Sequence, residues 1–284
     1  MERSPRPRRT AMTMGTRDTE PTRWNGRLFM GTGALVYGGP VRATAPHAHH
    51  AFQVMVSLEQ PLHLQGTRRD GALECRAAVI PPDALHEVTA PSPSVLLLYL
   101  DPDGLVGRRL RRALGHLGAA TDWMRAGQPL LPMAPRAAPG TWAEARHLAQ
   151  AFIDALAHPE TRPRVIHPAA QRAVRFVAEN LEGDIRLGAV AEHAEISPGR
   201  LTHLFPLHVG LPLRPYVAWL RLQRAVTQLR DGGTLTEAAH HAGFTDGAHL
   251  TRIFRRMFGI RPSDVMGRAE WVLPTAKDDG VLAK

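Results

Sequence analysis

The sequence predicts an α+β protein of two domains, with a strand-rich N-terminal half and an all-α C-terminal region. In the N-terminal half the apolar runs are short and are broken by Gly, Pro and Asp at close intervals, which is typical of a small β domain. The C-terminal region contains the same pattern twice: an alanine-rich apolar helix, a tight turn and an amphipathic second helix. A length of 284 residues is enough for two such domains, each with its own core.

The β domain is predicted to span residues 24–101. Its candidate strands are the apolar runs at residues 51–59, 75–81 and 94–100. The preceding residues 1–23 are rich in Arg, Pro, Thr and Ser, and they predict a disordered basic tail. No apolar segment follows Arg8 and Arg9, so this tail is not expected to be an export signal.

Residues 102–158 are predicted to be a helical segment. Thr141 and Glu144 form a capping box at the start of a helix over residues 140–159. A second helix is predicted over residues 105–118, where it could pack beside the first.

The longer of these helices carries one apolar stripe. Its members are Trp142, Ala145, Leu148, Phe152 and Leu156. The stripe either packs on the β domain or forms a dimer interface, and the sequence leaves both interpretations open. Residues 159–166 contain two prolines and are predicted to be the interdomain linker.

The first of the two repeated units spans residues 187–210. Ser197 supplies a helix N-cap and Pro198 fits the first turn, so the second helix of this unit begins at a defined residue. The predicted core face of that helix consists of Leu201, Leu204, Phe205 and Val209. Pro206 removes one hydrogen bond inside the helix and crowds the preceding turn, so the helix is expected to be kinked or short.

The second unit spans residues 235–259. Gly243 can take the left-handed conformation that ends a helix, and Thr245 or Asp246 then caps the next helix. The predicted core face of that helix consists of Leu250, Ile253, Phe254 and Met257. A long helix that ends at the glycine pair 232–233 is predicted between the units, and such a rod would fix their spacing.

The outward faces of the two amphipathic helices carry side chains that can bind phosphates and base edges. These residues are Ser197, Arg200, Thr202 and His203 in the first unit, and His249, Thr251, Arg252, Arg255 and Arg256 in the second. Two such units predict a reader of double-stranded DNA whose recognition helices enter successive turns of the major groove, about 34 Å apart. A purely structural helical bundle would explain neither the repeat nor the outward arginines.

The C-terminal region resembles the DNA-binding domain of the AraC/XylS family of bacterial transcription regulators. The resemblance covers residues 168–266 and includes the string AAHHAGFTDGAHLTRIFRRMFGIRPSDVM. Further matching positions are Leu187, Ala191, Ser197, Leu201, Phe205, Gly210, Arg221 and Ala225. It implies a DNA-binding domain over residues 167–268, followed by a C-terminal tail over residues 269–284. Pro206 and Leu250 depart from the family, which usually has a basic or polar residue at the first position and often an aromatic residue at the second.

Two histidine clusters in the β domain, PHAHHAFQ at 46–53 and IPPDALHEV at 80–88, resemble the paired motifs of cupin barrels. This resemblance implies a cupin-like β-barrel over residues 24–101, which is also the sensor that many AraC-type regulators carry. The positions that match the ligands of metal cupins are His47, His49, Gln53 and His86. Gln53 stands where glutamate is usual, and Asp83 stands where glycine is usual.

Three interpretations of the histidines stay open. His47, His49 and His86 could bind a divalent metal ion, although Gln53 is a neutral and weaker ligand than glutamate. The same side chains could instead hydrogen-bond a small effector, or they could only satisfy one another within the barrel. His50 is expected at the surface.

Composition agrees with a DNA-binding role without establishing it. The chain has 35 Lys and Arg against 26 Asp and Glu, and its formal net charge of +9 favours polyanions as partners. Arg dominates over Lys, as a high-GC genome alone would also produce. The one cysteine, Cys75, rules out an intramolecular disulfide and indicates a reducing cytoplasm. No apolar run is long enough to predict a membrane span.

These predictions together indicate a cytoplasmic, sequence-specific DNA-binding transcription regulator of the AraC type, an activator by the family's habit and not an enzyme. The expected partners are double-stranded DNA, a small-molecule effector in the cupin-like domain, RNA polymerase and a second copy of the chain in a homodimer. Occupancy of the barrel would shift the helical segment and change whether the readers engage paired sites.

Two alternatives remain. One is a cupin-type metalloenzyme, such as a dioxygenase or isomerase, with an appended DNA-binding domain, and Gln53 argues against it. The other is an architectural DNA binder, which would leave the histidine clusters without a purpose.

Overall fold

The computed structural model describes residues 24–66, 71–157, 166–275 and 278. The predicted tail at 1–23 and nearly all of the predicted linker at 159–166 lie outside the described residues. In the described portion of the chain, no helix is both long enough and apolar enough to cross a membrane.

The N-terminal domain is rich in short strands, as predicted. Its strands are β1 (Arg27–Gly31), β2 (Ala34–Val41), β3 (Phe52–Ser57), β4 (Leu62–Gln65), β5 (Leu73–Cys75), β6 (Ala77–Ile80), β7 (Glu87–Val88) and β8 (Ser92–Leu100). The three candidate strands correspond to β3, β6 and β8. A ninth strand, β9 (Glu270–Val272), comes from the far end of the chain.

These strands form two sheets, with the orders β6-β3-β8-β2-β1-β9 and β5-β4-β7. The chain passes from the small sheet to the large one between β5 and β6, at Arg76. No described strand pair joins the two sheets, so the predicted closed barrel is not found. The coarser prediction, an α+β protein with a sheet-rich N-terminal region, is confirmed.

Strands β3 and β8 are buried on both faces because two cores lie on opposite sides of the large sheet. Alternate residues serve each side. Met55 and Tyr99 belong to one core, whereas Val54 and Leu98 belong to the other. This double burial explains why both strands are continuous apolar runs.

Helices cover one of these faces. They are α1 (Leu105–Leu114), a 3-10 helix (Gln128–Met133) and α3 (Trp142–Leu156), whereas α2 (Ala120–Gly127) buries Ala120 and Trp123 in the core on the other side. The helix predicted over 105–118 ends earlier because Gly115 adopts a φ of 62°. The capping box at Thr141 is present, with its side chain accepting the Glu144 N–H at 3.3 Å.

The apolar stripe of α3 packs on the large sheet. Its buried members Trp142, Phe152 and Leu156 share a core with Val36 and Val54 of the sheet. Of the two interpretations left open by the sequence, the structure shows packing on the β domain. These side chains are already covered within a single chain.

The C-terminal domain is all helical. It contains α4 (Pro168–Glu179), α5 (Leu187–His193), α6 (Pro198–Val209), α7 (Leu213–Arg230), α8 (Leu235–His241), α9 (Gly247–Phe258) and α10 (Pro262–Val265). The helix pairs α5–α6 and α8–α9 lie where the repeated units were predicted, with α7 as the connector. Helix α6 continues three residues beyond Pro206, so the expectation of a shortened helix is not met.

The segment 269–284 was predicted to be a tail, and its described portion is instead tied to the β domain. Strand β9 runs parallel to β1, with Trp271 opposite Leu28. Trp271 is buried and its ring lies 6.3 Å from that of Phe254. The sequence did not predict β9 because three residues are too few to show a strand period. Its partner, β1, lies near the other end of the chain.

The two domains share one apolar core. Helix α7 is joined to the sheet domain by the indole N–H of Trp219, which donates to Asp101 Oδ2 at 2.8 Å. The Phe258 ring lies 5.8 Å from Tyr99 and 5.6 Å from Trp219. The sequence predicted separate cores because the residues that meet here are more than 100 positions apart along the chain.

Substitution of Trp219 by Phe is expected to destabilise the fold beyond the loss of ring area. The variant leaves the buried Asp101 carboxylate without its indole donor, which costs about 1–3 kcal/mol. Trp271→Phe is the matched control, because the buried Trp271 Nε1 has no hydrogen-bond partner to lose among the described residues. Urea unfolding of both variants measures the difference, and equal losses would show that the Trp219–Asp101 bond contributes nothing.

Candidate DNA-binding surface and histidine cluster

The amphipathic helices α6 and α9 both begin at a side-chain cap. Ser197 Oγ accepts the Arg200 N–H at 3.3 Å. Asp246 Oδ1 accepts the His249 N–H at 2.6 Å, so Asp246 is the cap of α9 and Thr245 is not. Caps of this kind fix the first turn of each helix.

The outward face of α6 carries the predicted residues of the first unit. Ser197, Arg200, Thr202 and His203 are all exposed, and the opposite face is buried through Leu201 and Phe205. Thr202 donates its hydroxyl to the Pro198 carbonyl at 3.0 Å and keeps its lone pairs for another donor. Arg200 forms no ion pair with any described carboxylate.

The outward face of α9 is the more basic of the two. Arg252, Arg255 and Arg256 are exposed, and none of them is ion-paired within the described portion of the chain. His249 and Thr251 are half-buried. The Thr251 hydroxyl donates to the Gly247 carbonyl at 2.8 Å, so α9 offers its three arginines more freely than its other predicted residues.

Helix α7 connects α6 to α9 along the chain. It has 18 residues, which corresponds to about 27 Å at a rise of about 1.5 Å per residue. Trp219, Leu222, Ala225 and Val226 bury one side of it in the shared core. The connector between the two amphipathic helices is therefore a helix that is packed along one side.

Both amphipathic helices also meet the sheet domain at their C-terminal ends. The Gly210 carbonyl, just beyond α6, accepts the Leu105 N–H at 2.6 Å. The Arg256 carbonyl, in the last turn of α9, accepts the His50 N–H at 2.7 Å. Sequence analysis missed these contacts, since backbone groups leave no residue pattern. We call this surface between the two domains the seam.

The structure brings three of the predicted ligand residues together beside the seam. One ring nitrogen from each of His47, His49 and His86 lies within 4.8 Å of the others. His49 and His86 are 2% and 1% exposed, and His47 is half-buried. Reciprocal backbone hydrogen bonds of 2.9 Å between His47 and His86 hold the two histidine-containing segments together. We call these three side chains the histidine cluster.

The backbone fixes how each ring is presented. The Nδ1 atoms of His47, His49 and His86 lie 3.0, 3.1 and 2.9 Å from the carbonyls of Ala45, Ala51 and Ala84. A carbonyl only accepts, so the Nδ1 atoms of His47 and His86 carry the proton and their Nε2 atoms keep a lone pair. His86 Nε2 is buried and has no hydrogen-bond partner in the described structure.

Gln53 completes the surroundings of His49. Its Oε1 lies 2.7 Å from His49 Nε2, and its Nε2 donates to the Tyr99 hydroxyl at 3.3 Å. An amide oxygen only accepts, and neutral His49 has one ring proton, so His49 donates either from Nε2 to Gln53 or from Nδ1 to the Ala51 carbonyl. Tyr99 was not predicted as a site residue, although its place on β8 puts it on the same face of the sheet as Gln53.

Burial lowers the pKa of all three histidines. The pKa of His49 falls to about 4, mainly because desolvation disfavours the charged ring. Desolvation and the charges of its two neighbours hold the pKa of His86 well below its usual range. For His47 desolvation is again the main cause of the lower pKa, while Arg255 and Glu87 act in opposite directions. Near neutral pH the cluster is therefore uncharged.

The two departures from the cupin motif have different consequences. Asp83 stands where glycine is usual, and its φ of 62° shows why glycine suits that position. His50 Nδ1 lies 2.9 Å from a carboxylate oxygen of Asp83. His50 was expected at the surface, and in the structure it is half-buried. Gln53 leaves the cluster without a carboxylate among its ring partners.

Residues 190–268 match a family described as a helix-turn-helix domain. The XylDLEGF operon transcriptional activator 1 of Pseudomonas putida is 32% identical over 114 residues, 38% of this chain and 34% of that protein. The HTH-type transcriptional activator RhaS of Escherichia coli O157:H7 is 30% identical over 91 residues, 32% of this chain and 33% of that protein. The chain thus spans about a third of the length of these curated relatives.

Among solved structures, a transcriptional regulator from Chromobacterium violaceum with an AraC-type DNA-binding domain is 26% identical. That alignment covers 34% of this chain and 88% of the other, with a TM-score of 0.32. Residues 190–268 therefore match a helix-turn-helix domain, in a chain that is similar over part of its length to proteins named as transcriptional activators.

Proposed function

We propose that this protein is a sequence-specific DNA-binding transcription regulator of the AraC type. The observation that carries the proposal is the pair of capped helices α6 and α9, each with an exposed polar face, on either side of one rigid helix. In this proposal α5–α6 and α8–α9 are two helix-turn-helix readers within a DNA-binding domain over residues 167–268. Similarity to proteins named as transcriptional activators supports activation.

The nine outward residues divide into two roles in this proposal. Arg200, Arg252, Arg255 and Arg256 are exposed and bind phosphates or guanine edges. The hydroxyl and imidazole groups of Ser197, Thr202, His203, His249 and Thr251 position the helices or read bases at close range. Of these, Ser197 already serves as a cap, so its contribution is mainly to hold α6 in place.

The sheet domain is proposed to be the sensor, with the histidine cluster and Gln53 as its ligand-binding residues. Contact between both readers and this domain at the seam supports the idea that occupancy is transmitted to DNA binding. Contact with RNA polymerase and homodimerisation belong to the same proposal. Since the α3 stripe is covered by the sheet, a dimer would use another surface. The single cysteine, which is buried, suits action in the cytoplasm.

The alternative of a metalloenzyme gains no support from the site. His49 and His86 are 2% and 1% exposed, which is an unfavourable geometry for an organic substrate to reach a bound ion. Regulation is the better use of a buried cluster that lies beside a DNA reader.

Removal of two arginines from α9 tests the proposed reader. Arg252→Ala combined with Arg256→Ala is expected to abolish discrete sites in genome-wide footprinting. Each lost phosphate contact also lowers the salt slope of binding by about 0.9, and each lost base contact costs about 1–3 kcal/mol. The control is Arg111→Ala with Arg125→Ala, which removes the same charge from exposed positions on α1 and α2.

Discrete sites that survive in the control but not in the α9 variant would support reading through α9. Diffuse, salt-sensitive binding that falls equally in both variants would show that only net charge draws the chain to DNA.

Replacement of Pro206 tests whether the proline impairs the first reader. Pro206→Ala restores an N–H in the interior of α6 and is expected to stabilise the fold by up to about 3 kcal/mol. The footprint is expected to stay unchanged, because Arg200 and His203 precede Pro206 on the helix. Leu207→Ala, at the exposed neighbouring position, restores no hydrogen bond and serves as the control in thermal unfolding. A wider or tighter footprint in Pro206→Ala alone would show that the proline weakens this reader.

A further inference from the structure

We propose that the histidine cluster binds one divalent transition-metal ion of the zinc type, and that this ion fastens the second recognition helix, α9, to the sheet domain. The site itself stands on the geometry of His47, His49 and His86. Its regulatory meaning rests on the proposed function, because a fastened α9 matters only if α9 reads DNA.

The three rings are already arranged as ligands. Each Nδ1 is bound to a backbone carbonyl, which is how proteins orient a histidine that offers Nε2 to a metal. Nitrogens that each lie about 2.1 Å from one ion are roughly 3 to 4 Å apart. The observed nitrogens lie within 4.8 Å of one another, so small ring movements close the site.

A second observation points to the same ligand. His86 Nε2 is buried with no hydrogen-bond partner among the described residues, which is unfavourable for a lone pair that water could otherwise satisfy. A metal ion at the centre of the cluster would occupy that lone pair together with that of His47, and His49 Nε2 would join them by releasing its contact with Gln53 Oε1. Imidazole nitrogen is a preferred ligand of zinc, copper, nickel and ferrous ions.

The size of the space favours an ion over an organic effector. The ring centroids of His47 and His86 are 4.3 Å apart, those of His49 and His86 are 5.0 Å apart, and those of His47 and His49 are 5.9 Å apart. The Tyr99 ring lies 5.3 Å from that of His49 and the Trp123 ring lies 6.5 Å from that of His86. Rings this close leave room for one atom between them.

The ion would lie against the end of α9. Gly259 ends that helix with a φ of 74°, and a Cβ built there would lie 2.6 Å from His47 Cδ2 and 3.3 Å from His49 Cδ2. A backbone hydrogen bond of 2.7 Å also crosses the seam here, donated by the His50 N–H to the Arg256 carbonyl. The cluster and the last turn of α9 are thus in direct contact.

Charge gives the coupling its direction. Three neutral imidazoles and a neutral amide leave the ion with its full positive charge, and the C-terminal end of a helix carries partial negative charge. Two charged side chains also face His47. The charge of Arg255 lowers the pKa of His47, and the charge of Glu87 raises it. The ion therefore attracts the end of α9, and by reciprocity a docked α9 binds the ion more tightly.

Cobalt and zinc titrations of the full chain, purified without a polyhistidine tag, test the site. We expect one equivalent of Co²⁺ to give visible absorption bands of nitrogen coordination, and Zn²⁺ to displace it. His86→Ala is expected to weaken binding at least 100-fold, whereas His63→Ala, on β4 and outside the cluster, leaves it unchanged. Absence of a stoichiometric band, or equal binding by His86→Ala, would overturn the site.

Two matched glycine variants test the coupling. Gly259→Ala forces a methyl group into the His47 ring, while Gly210→Ala makes the same left-handed substitution after α6 with nothing within 4 Å. We expect Zn²⁺ affinity to fall at least tenfold in Gly259→Ala and to stay within twofold in Gly210→Ala. Equal affinities would overturn the coupling.

Hydrogen exchange measures the same coupling without a substitution. In the unmodified chain Zn²⁺ is expected to slow exchange of the His50 and Gly259 amides, which are bonded to the Arg256 and Arg255 carbonyls. Zn²⁺ that binds without slowing these amides would overturn the fastening of α9.

None of these three tests uses DNA, so failure of the proposed function and failure of this inference are distinguishable. With a DNA fragment selected by the chain, Zn²⁺ is expected to raise affinity, since the docked form leaves Arg252 exposed. An unchanged affinity, with zinc bound and the amides protected, would overturn the regulatory role. A chain that selects no fragment would overturn that role together with the proposed function, while the titrations still decide the metal site.

Discussion

The hydrogen bond between Trp219 and Asp101 lies where the connector helix α7 meets the end of β8, and both side chains are buried there. A buried carboxylate that loses a donor is costly, so this bond resists separation of the two domains. Burial raises the pKa of Asp101, and the indole donor partly offsets that rise. The position of α7 is thereby tied to the sheet.

Because α7 stands between the two proposed readers, fixing α7 constrains both of them. Each reader then adds its own backbone link to the sheet domain, at Gly210 for α6 and at Arg256 for α9. The shared apolar core around Phe258 fills the space between these links. In the proposed function, a change within the sheet domain would reach the readers through these packed contacts, and the histidine cluster lies directly against the end of α9.

Helix positions were readily predicted from the sequence, because caps and apolar periodicity are local signals. Ser197, Thr141 and the glycine at 243 act as expected, and each depends on residues within a few positions along the chain. Strand positions were predicted from short apolar runs, but strand pairing depends on distant partners, so the two open sheets were mistaken for a barrel.

The candidate site was predicted in its residue types and not in its surroundings. His47, His49 and His86 were grouped by their motif spacing, and the structure brings them together. Their contact with Gly259 and the strand formed by residues 270–272 had no local signal, because both arise where distant segments of the chain meet. Residues proposed to face DNA follow helix periodicity, which is why they could be named before the fold.

The account depends most on two readers held in one fixed arrangement, and hydroxyl-radical footprinting of a DNA fragment selected by the full chain measures this directly. Two protected segments about one helical turn apart, with the same spacing at every site, are the predicted result. A single protected segment, or two segments whose spacing varies from site to site, would contradict it.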